Sequence, residues 1–436
     1  MESAVQRLER TLAAIHAAGE QGARTFTQRY PDSALEAAQA ADARAARGLS
    51  LGPLDGRIVT IKDLFDVAEQ VTTAGSQLLQ SQARATDDAA VVQRVRAAGG
   101  VVLGKTNMTE FAFSGIGINP HYGTPGNAHD AERIPGGSSS GAGVAVARGW
   151  CDMAIGSDTG GSVRIPAALN GVVGFKPSQQ RVSRDGAFPL SFTLDCVGPL
   201  ARSVQVCADA DAIFSGTAAA PLPACKLQQL RIAVPRGLLF TETEDVVLQA
   251  VEKALAQLRT AGASVQDVAW DDLLIQPFSL QEKGTLVAAE AAHIHREHLQ
   301  SHADQFDPLV HARIHRGMQM DAATYVGIQQ ARNALLPQLD ARMAEWDVLL
   351  LPTVAFTAPR IDALANEAAF TQANSLILRN TSVFNFYDLP ALSLPLPRAA
   401  GELPIGLMVV GSRHADRPLL AMGAAIETIL NAANES

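Results

Sequence analysis

Residues 136–177 read GGSSSGAGVAVARGWCDMAIGSDTGGSVRIPAALNGVVGFKP, and this stretch decides how the chain is to be understood. It holds two clusters of glycine and serine, Gly136-Gly137-Ser138-Ser139-Ser140-Gly141 and Gly160-Gly161-Ser162, joined by small and apolar residues. Glycine at this density opens backbone conformations closed to other residues and brings main-chain N–H groups close to a ligand. Serine beside exposed amides meets two demands of acyl transfer, a nucleophile and donors for the oxyanion that its attack creates. A serine hydrolase is the first reading, and the base must come from elsewhere in the chain. Tiny residues at helical spacing over 141–148, a buried strand over 151–156, a turn at 157–162, a helix from Val163 and a strand over 171–175 give the stretch an α/β rhythm.

Upstream, residues 57–61 (RIVTI) form a short β-branched run that reads as a buried strand and delivers Lys62 at its end. Asp63 follows directly, but neighbours on a strand point to opposite faces, so it need not neutralise Lys62. Residues 87–113 read as helix, Gly-Gly stop, strand at 101–103 and loop, and residues 115–134 as a long irregular segment of the kind loops of function use. Residues 5–46 carry leucine and alanine at helical spacing, broken near Pro31, and predict two or three surface helices.

Downstream, residues 184–199 read as loop, 203–214 and 244–261 as helices, and 230–234 and the surroundings of Val265 as strands. Residues 271–320 show little strand signal and many His and Gln, and are read as a helical cap over the site. Strand-like runs return at 348–351, 392–396 and 405–410, before a helix over 417–432. Length alone suggests about three domains. The absence of repeats and linkers favours one compact α/β domain over 1–436, with N-terminal helices over 1–50.

The 436 residues are 47% hydrophobic and only 5% aromatic, which suits closely packed helices on a sheet. A formal charge of −9 offers no attraction to nucleic acid or to an anionic membrane, and a small neutral substrate fits better. The cysteines Cys151, Cys196, Cys207 and Cys225 lack metal-site spacing and are read as reduced and structural. The N-terminus is charged and helical in period, and no apolar run reaches the roughly eighteen residues of a membrane span. A soluble, cytoplasmic protein is expected, with a dimer as the default assembly.

Residues 137–141 match the GxSxG elbow of α/β-hydrolases in form, but the charged, proline-terminated HDAERIP before them is no strand, and His414 sits in a polar turn. No Gly-Lys-Ser/Thr follows to make a phosphate loop. His293, His295, His298 and His302 crowd one segment without an HExxH pattern, so a solvated helix face is the reading and no metal is expected. With no histidine well placed, a buried lysine whose pKa falls from about 10.4 towards neutrality can serve as base. Lys62 is the best placed, while Lys105 and Lys176 also flank glycine turns.

The run GGSSSGAGVAVA followed by GSDTGGSVRIPAALNGVVGFKPS closely resembles the signature of the amidase signature family of serine hydrolases. So do IKDLFDV with TTAGS (72–76), GKTNMTEFA (104–112), and LPALSLPLP with LPIGLMVVG near the end. The resemblance spans about residues 10–430 and implies an α/β fold with a mixed central β-sheet covered by helices on both faces, its signature core over 51–215. It implies a Ser-cisSer-Lys triad in which Ser162 is the nucleophile, Ser138 the bridging serine and Lys62 the base, with no cofactor. It further implies oxyanion donors in the backbone amides of Thr159, Gly160, Gly161 and Ser162, where side chains on the glycine pair would obstruct the approach. Ser139 is expected to support by hydrogen bonding, and Asp158 and Arg164 to fix the turn. Arg332 falls where the glutaminase subunit of tRNA-dependent amidotransferases carries a carboxylate-binding arginine. The implied activity is a stand-alone amidohydrolase; the alternative is a glutaminase of that kind working with partner subunits.

Overall fold

Short β-branched and apolar runs become the strands of one sheet in the computed structural model, which describes residues 2–432. In chain order they are β1 (Phe26–Arg29), β2 (Ile58–Lys62), β3 (Val101–Thr106), β4 (Met153–Asp158), β5 (Val173–Lys176), β6 (Cys196–Ala201), β7 (Arg231–Arg236), β8 (Ser264–Ala269), β9 (Val348–Pro352), β10 (Ala391–Pro395) and β11 (Gly406–Val410). The eleven strands lie in the order β1-β3-β2-β4-β6-β5-β10-β11-β9-β7-β8. The sheet is mixed: β2 runs parallel to β3 and β4, and β7 to β8 and β9, while the central strands pair antiparallel.

The first eight helices are α1 (Ala4–Ala17), α2 (Glu20–Thr25), α3 (Pro31–Ala45), α4 (Ala90–Ala97), α5 (Ser140–Arg148), α6 (Arg164–Asn170), α7 (Val204–Ser215) and α8 (Asp245–Thr260). Then come α9 (Asp271–Leu274), α10 (Gln276–Ser279), α11 (Leu286–Ile294), α12 (Arg296–Ser301), α13 (Pro308–Gly317), α14 (Ala322–Met343), α15 (Glu367–Phe386) and α16 (Asp416–Ala432). None of these described helices is long and apolar enough to cross a membrane.

Alternation along the strands covers both faces of the sheet. On β3, Val102 joins the core that holds α4, α7, α8 and α16, whereas Val101 and Leu103 join the one beneath α1, α3 and α5. On β4, Met153 and Ile155 go one way and Ala154 the other. At about 25 cal/mol per Å² of apolar surface, burial on two faces dominates what holds the sheet.

Two segments depart from the sequence reading. Phe26–Arg29, placed among helices, is edge strand β1, held antiparallel to β3 with Arg29 opposite Gly104. Residues 196–199, read as loop, open strand β6, paired along its length with β4. Ile61 of β2 lies opposite Ile155 of β4, so the C-terminal ends of these parallel inner strands lie side by side. Those strand ends carry the site.

Candidate active site

Lys62 ends β2 fully buried, in a strand whose other side chains are all buried too. Its Nζ lies 2.7 Å from Ser138 Oγ and 2.8 Å from Ser157 Oγ. Burial pushes this amine down to about 7, against the opposing charges of Asp195 and Asp158. A proton acceptor poised near neutrality therefore touches a serine. Asp63 turns away to Lys105, 3.4 Å distant, as strand alternation requires.

Ser138 and Ser139 immediately precede α5, and the Gly137–Ser138 peptide is cis. The Ser138 carbonyl accepts from the Thr109 amide at 3.1 Å, and the Ser139 amide donates to the Ser162 carbonyl at 3.3 Å. Ser139 Oγ reaches the Ser157 carbonyl at 3.4 Å. These bonds tie the first glycine–serine cluster to β4 and to the turn that follows it.

That turn, residues 159–162, leads from β4 into α6. The backbone amides of Thr159, Gly160, Gly161 and Ser162 donate to no acceptor among the described residues. Gly161 has φ +139°, and a Cβ there would lie 2.2 Å from Thr381 Oγ1. Thr381 itself donates to the Gly160 carbonyl at 2.6 Å, so α15 buttresses the turn from outside. Beneath it, Arg164 and Asp158 are both fully buried and joined by two bonds, Nη2–Oδ1 at 2.9 Å and Nε–Oδ2 at 3.1 Å. Asn385 donates to Asp158 Oδ1 at 2.9 Å and accepts from Arg164 at 2.6 Å. Burial alone would raise the Asp158 carboxyl, but Arg164 outweighs it and holds the group at about 2.

The Ser162 hydroxyl makes no hydrogen bond among the described residues and lines a cavity of about 550 Å³. Thr159 and Gly160 share its wall with Phe113, Leu190, Phe278 and Phe386. Four fixed N–H donors, a cavity-facing hydroxyl and a near-neutral amine bonded to a second serine are parts an acyl transfer can use.

The Amidase family matches residues 8–420 of the chain. The chain belongs to the amidase family. It is 35% identical over 405 residues to the 2-amino-5-chloromuconic acid deaminase of Comamonas testosteroni, covering 91% of this chain and 86% of that protein. It is 32% identical over 465 residues to a glutamyl-tRNA(Gln) amidotransferase subunit of Symbiobacterium thermophilum, covering 98% and 93%. A solved amidase crystal structure superposes with a TM-score of 0.87 at 34% identity, over 98% of this chain and 96% of that one. This protein is an amide-hydrolysing enzyme of the same α/β architecture.

The other lysines fall away from the amidase site. Lys105 donates to the Val71 carbonyl and to Thr72 at 2.9 Å each, and Lys176 to the Pro177 carbonyl at 2.8 Å. Arg332, on α14, is not in the cavity wall: its Nε donates to the Phe386 carbonyl at 2.6 Å, behind the ring that lines the cavity. The histidines are not one solvated face. His295 is buried between Phe111, Phe188 and Phe306, and that loss of water, with His298 alongside, pushes it down to about 3.

Sequence reasoning missed four groups at the site: Ser157, Asp195, Thr381 and Arg313. Ser157 was within reach, since it lies two residues along β4 from Ile155, the partner of Ile61. The other three come from distant segments, Asp195 from 36 residues beyond its partner Thr159 and Thr381 from 221 beyond Gly160, and no local pattern marks them.

Proposed function

We propose that this amidase cleaves the C–N bond of a small carboxylic amide through an acyl-enzyme on Ser162, with Ser138 as relay and Lys62 as base. The observation that carries the reading is the 2.7 Å bond between Ser138 and a buried amine held at about 7. Ser162 Oγ attacks the amide carbonyl while its proton passes to Ser138 and that of Ser138 to Lys62. The oxyanion is met by the amides of Thr159 to Ser162, and the proton returns along the relay to the leaving nitrogen. The C–N bond breaks and ammonia or an amine departs. Water then attacks the ester, gives its proton to the same relay, and the acid leaves as Ser162 regains its hydrogen.

Arg313 supports an anionic group on the substrate. It projects from α13 into the cavity wall with its guanidinium 4.7 Å from the Phe113 ring centroid, and has no ion pair or hydrogen bond among the described residues. Burial, with Arg316 alongside, pushes it down to about 10. A half-buried cation on which Asp307 alone of the carboxylates bears, without contact, is placed to pair with an anionic ligand. By contrast Arg379, also in the wall, gives its donors to Thr241, Leu239 and Asn380. Residues 271–320 supply Pro277, Phe278, Gln281, Thr285, Val287 and Arg313 to the wall, which supports their reading as a cap.

The test is ammonia release by the lone chain from primary amides paired with and without a carboxylate. Arg313→Met is expected to raise KM about 10- to 100-fold for the acidic member only, one charge-assisted hydrogen bond or so. Arg332→Met leaves that selectivity alone. The amidotransferase relative favours a second reading, a glutaminase working with partner subunits, and activity appearing only when such partners are added would establish it. A homodimer in the cytoplasm, without nucleic acid or membrane as partner, completes the proposal and is checked by light scattering and cell fractionation.

A further inference from the structure

A second cavity, of about 520 Å³, lies on the other side of Leu190 and Ala112, which wall both. Ser157 and Asp195 line it. Ser157 is the second partner of the Lys62 amine, at 2.8 Å. Asp195 accepts three bonds: from Thr159 Oγ1 at 2.6 Å, from the Leu190 amide at 2.9 Å and from the Ser191 amide at 3.0 Å. No cation pairs with this half-buried carboxylate among the described residues, although a partner would offset the cost of its partial loss of water. The mechanism above leaves this group without a task.

We infer that Asp195 is a positioning residue of the amidase: it fixes the oxyanion turn through Thr159, and its carboxylate is the counter-charge for the ammonium that Lys62 becomes during acylation. The inference rests on Lys62 being the base. Thr159 begins the turn whose amides meet the oxyanion, so its bond to Asp195 anchors that turn to the Leu190–Ser191 backbone between the two cavities. The negative charge meanwhile stands near Lys62 without touching it. An amine in direct contact with a carboxylate would stay protonated at neutral pH; one with the carboxylate at a remove keeps a free lone pair yet gains stabilisation when the proton arrives.

The charged groups around Lys62 set the sign. Asp158 and Asp195 both favour its ammonium form, with Asp195 the larger, while burial opposes them. Asp158 is already committed to Arg164 and has Lys176 nearby. Arg184 and Asp185 line the second cavity beside Asp195, and of these Arg184 bears on the Asp195 carboxylate itself. Asp63, next along the chain, belongs to Lys105.

Asp195→Asn removes the charge and can keep every bond: Oδ1 accepts from both amides and Nδ2 donates to the Thr159 hydroxyl. Thr159→Val does the reverse, losing the tie and keeping the charge. The readout is the rate constant for phosphonylation of Ser162 by a fluorophosphonate, followed by intact mass between about pH 5 and 9. Wild type should lose rate below a midpoint near 7. In Asp195→Asn that midpoint should fall by about one unit and the plateau about tenfold. In Thr159→Val the plateau should fall about tenfold with the midpoint in place. If Asp195→Asn does not fold, Asp195→Ser, which leaves the two amides to water in the cavity, is read the same way. An unmoved midpoint in the charge-removing variant, or an equal shift in Thr159→Val, overturns the inference. A wild-type profile with no acid limb would instead sink Lys62 as base.

Discussion

Replacing Arg164 by methionine keeps most of the side-chain bulk under the nucleophile turn and removes the guanidinium. Asp158 would then be a carboxylate with no solvent exposure and no cation in contact, left with Lys176 at a remove and donors from Asn385 and the backbone amides of residues 163 and 164. Removing one partner of a buried pair costs about 3–5 kcal/mol. A chain of 436 residues unfolds with an entropy of roughly 0.9 kcal/mol per degree, so the expected loss in Tm at neutral pH is about 3–6 °C. The pH dependence is more telling than the size. In the native protein Asp158 sits at about 2, below the roughly 3.9 of an unfolded chain. A depressed carboxylate contributes stability that is complete above about pH 4 and is lost as pH falls through 4 towards 2, some 2.5 kcal/mol in all. Without Arg164, burial is left to dominate and the Asp158 pKa rises. The variant is then worst at neutral pH and recovers as the group takes up a proton, so the gap in Tm should narrow as pH falls from neutrality towards about 4. Thermal unfolding by circular dichroism at a fixed scan rate measures it. A gap that is absent, or that stays constant with pH, would refute the claim that this pair holds the turn.

Two further variants probe the neighbouring parts. Gly161→Ala puts a Cβ 2.2 Å from Thr381 Oγ1 at a φ of +139°, so the turn must shift; kcat should fall about 100-fold as oxyanion donors misalign, with less change in KM. An unchanged kcat would show that the amides of this turn do not meet the oxyanion. Lys105→Met strands the buried Asp63 and should destabilise by roughly 3 kcal/mol in urea unfolding, yet leave the midpoint of the acid limb where it was. Movement of that limb would assign the titration to the wrong lysine.

Much of the site was legible because its parts lie where local chemistry is explicit. RIVTI is a strand by composition, and a strand ending in lysine delivers that lysine to the strand ends that carry the site. Glycine and serine before α5 and α6 marked both turns. What failed was non-local. Phe26–Arg29 is four residues in a helix-rich neighbourhood and becomes a strand only because β3, some 75 residues on, offers an edge. Cys196–Ala201 contains Gly198 and Pro199, both signals for a loop. Yet a Cβ at Gly198 would lie 2.0 Å from the Phe175 carbonyl, and Pro199 sits beyond the last residues of β6 that pair with β5. Glycine there is a close approach, and proline stands where β6 pairs with β4 alone and has no bond to β5 to lose. His295 failed for a related reason: a polar residue type on a helical segment reads as exposed until the aromatics that enclose it, from residues 111, 188 and 306, are brought together. Arg313 is one of many arginines in the chain, and only the assembled cavity shows it to have no ion pair or hydrogen bond among the described residues.

The central claim is that an uncharged lysine, through one serine, activates another. The most direct measurement is kcat/KM against pH for whichever primary amide the lone protein hydrolyses best. The account predicts a tenfold fall per unit below a midpoint near 7, set by Lys62. A profile flat down to about pH 5 would contradict it.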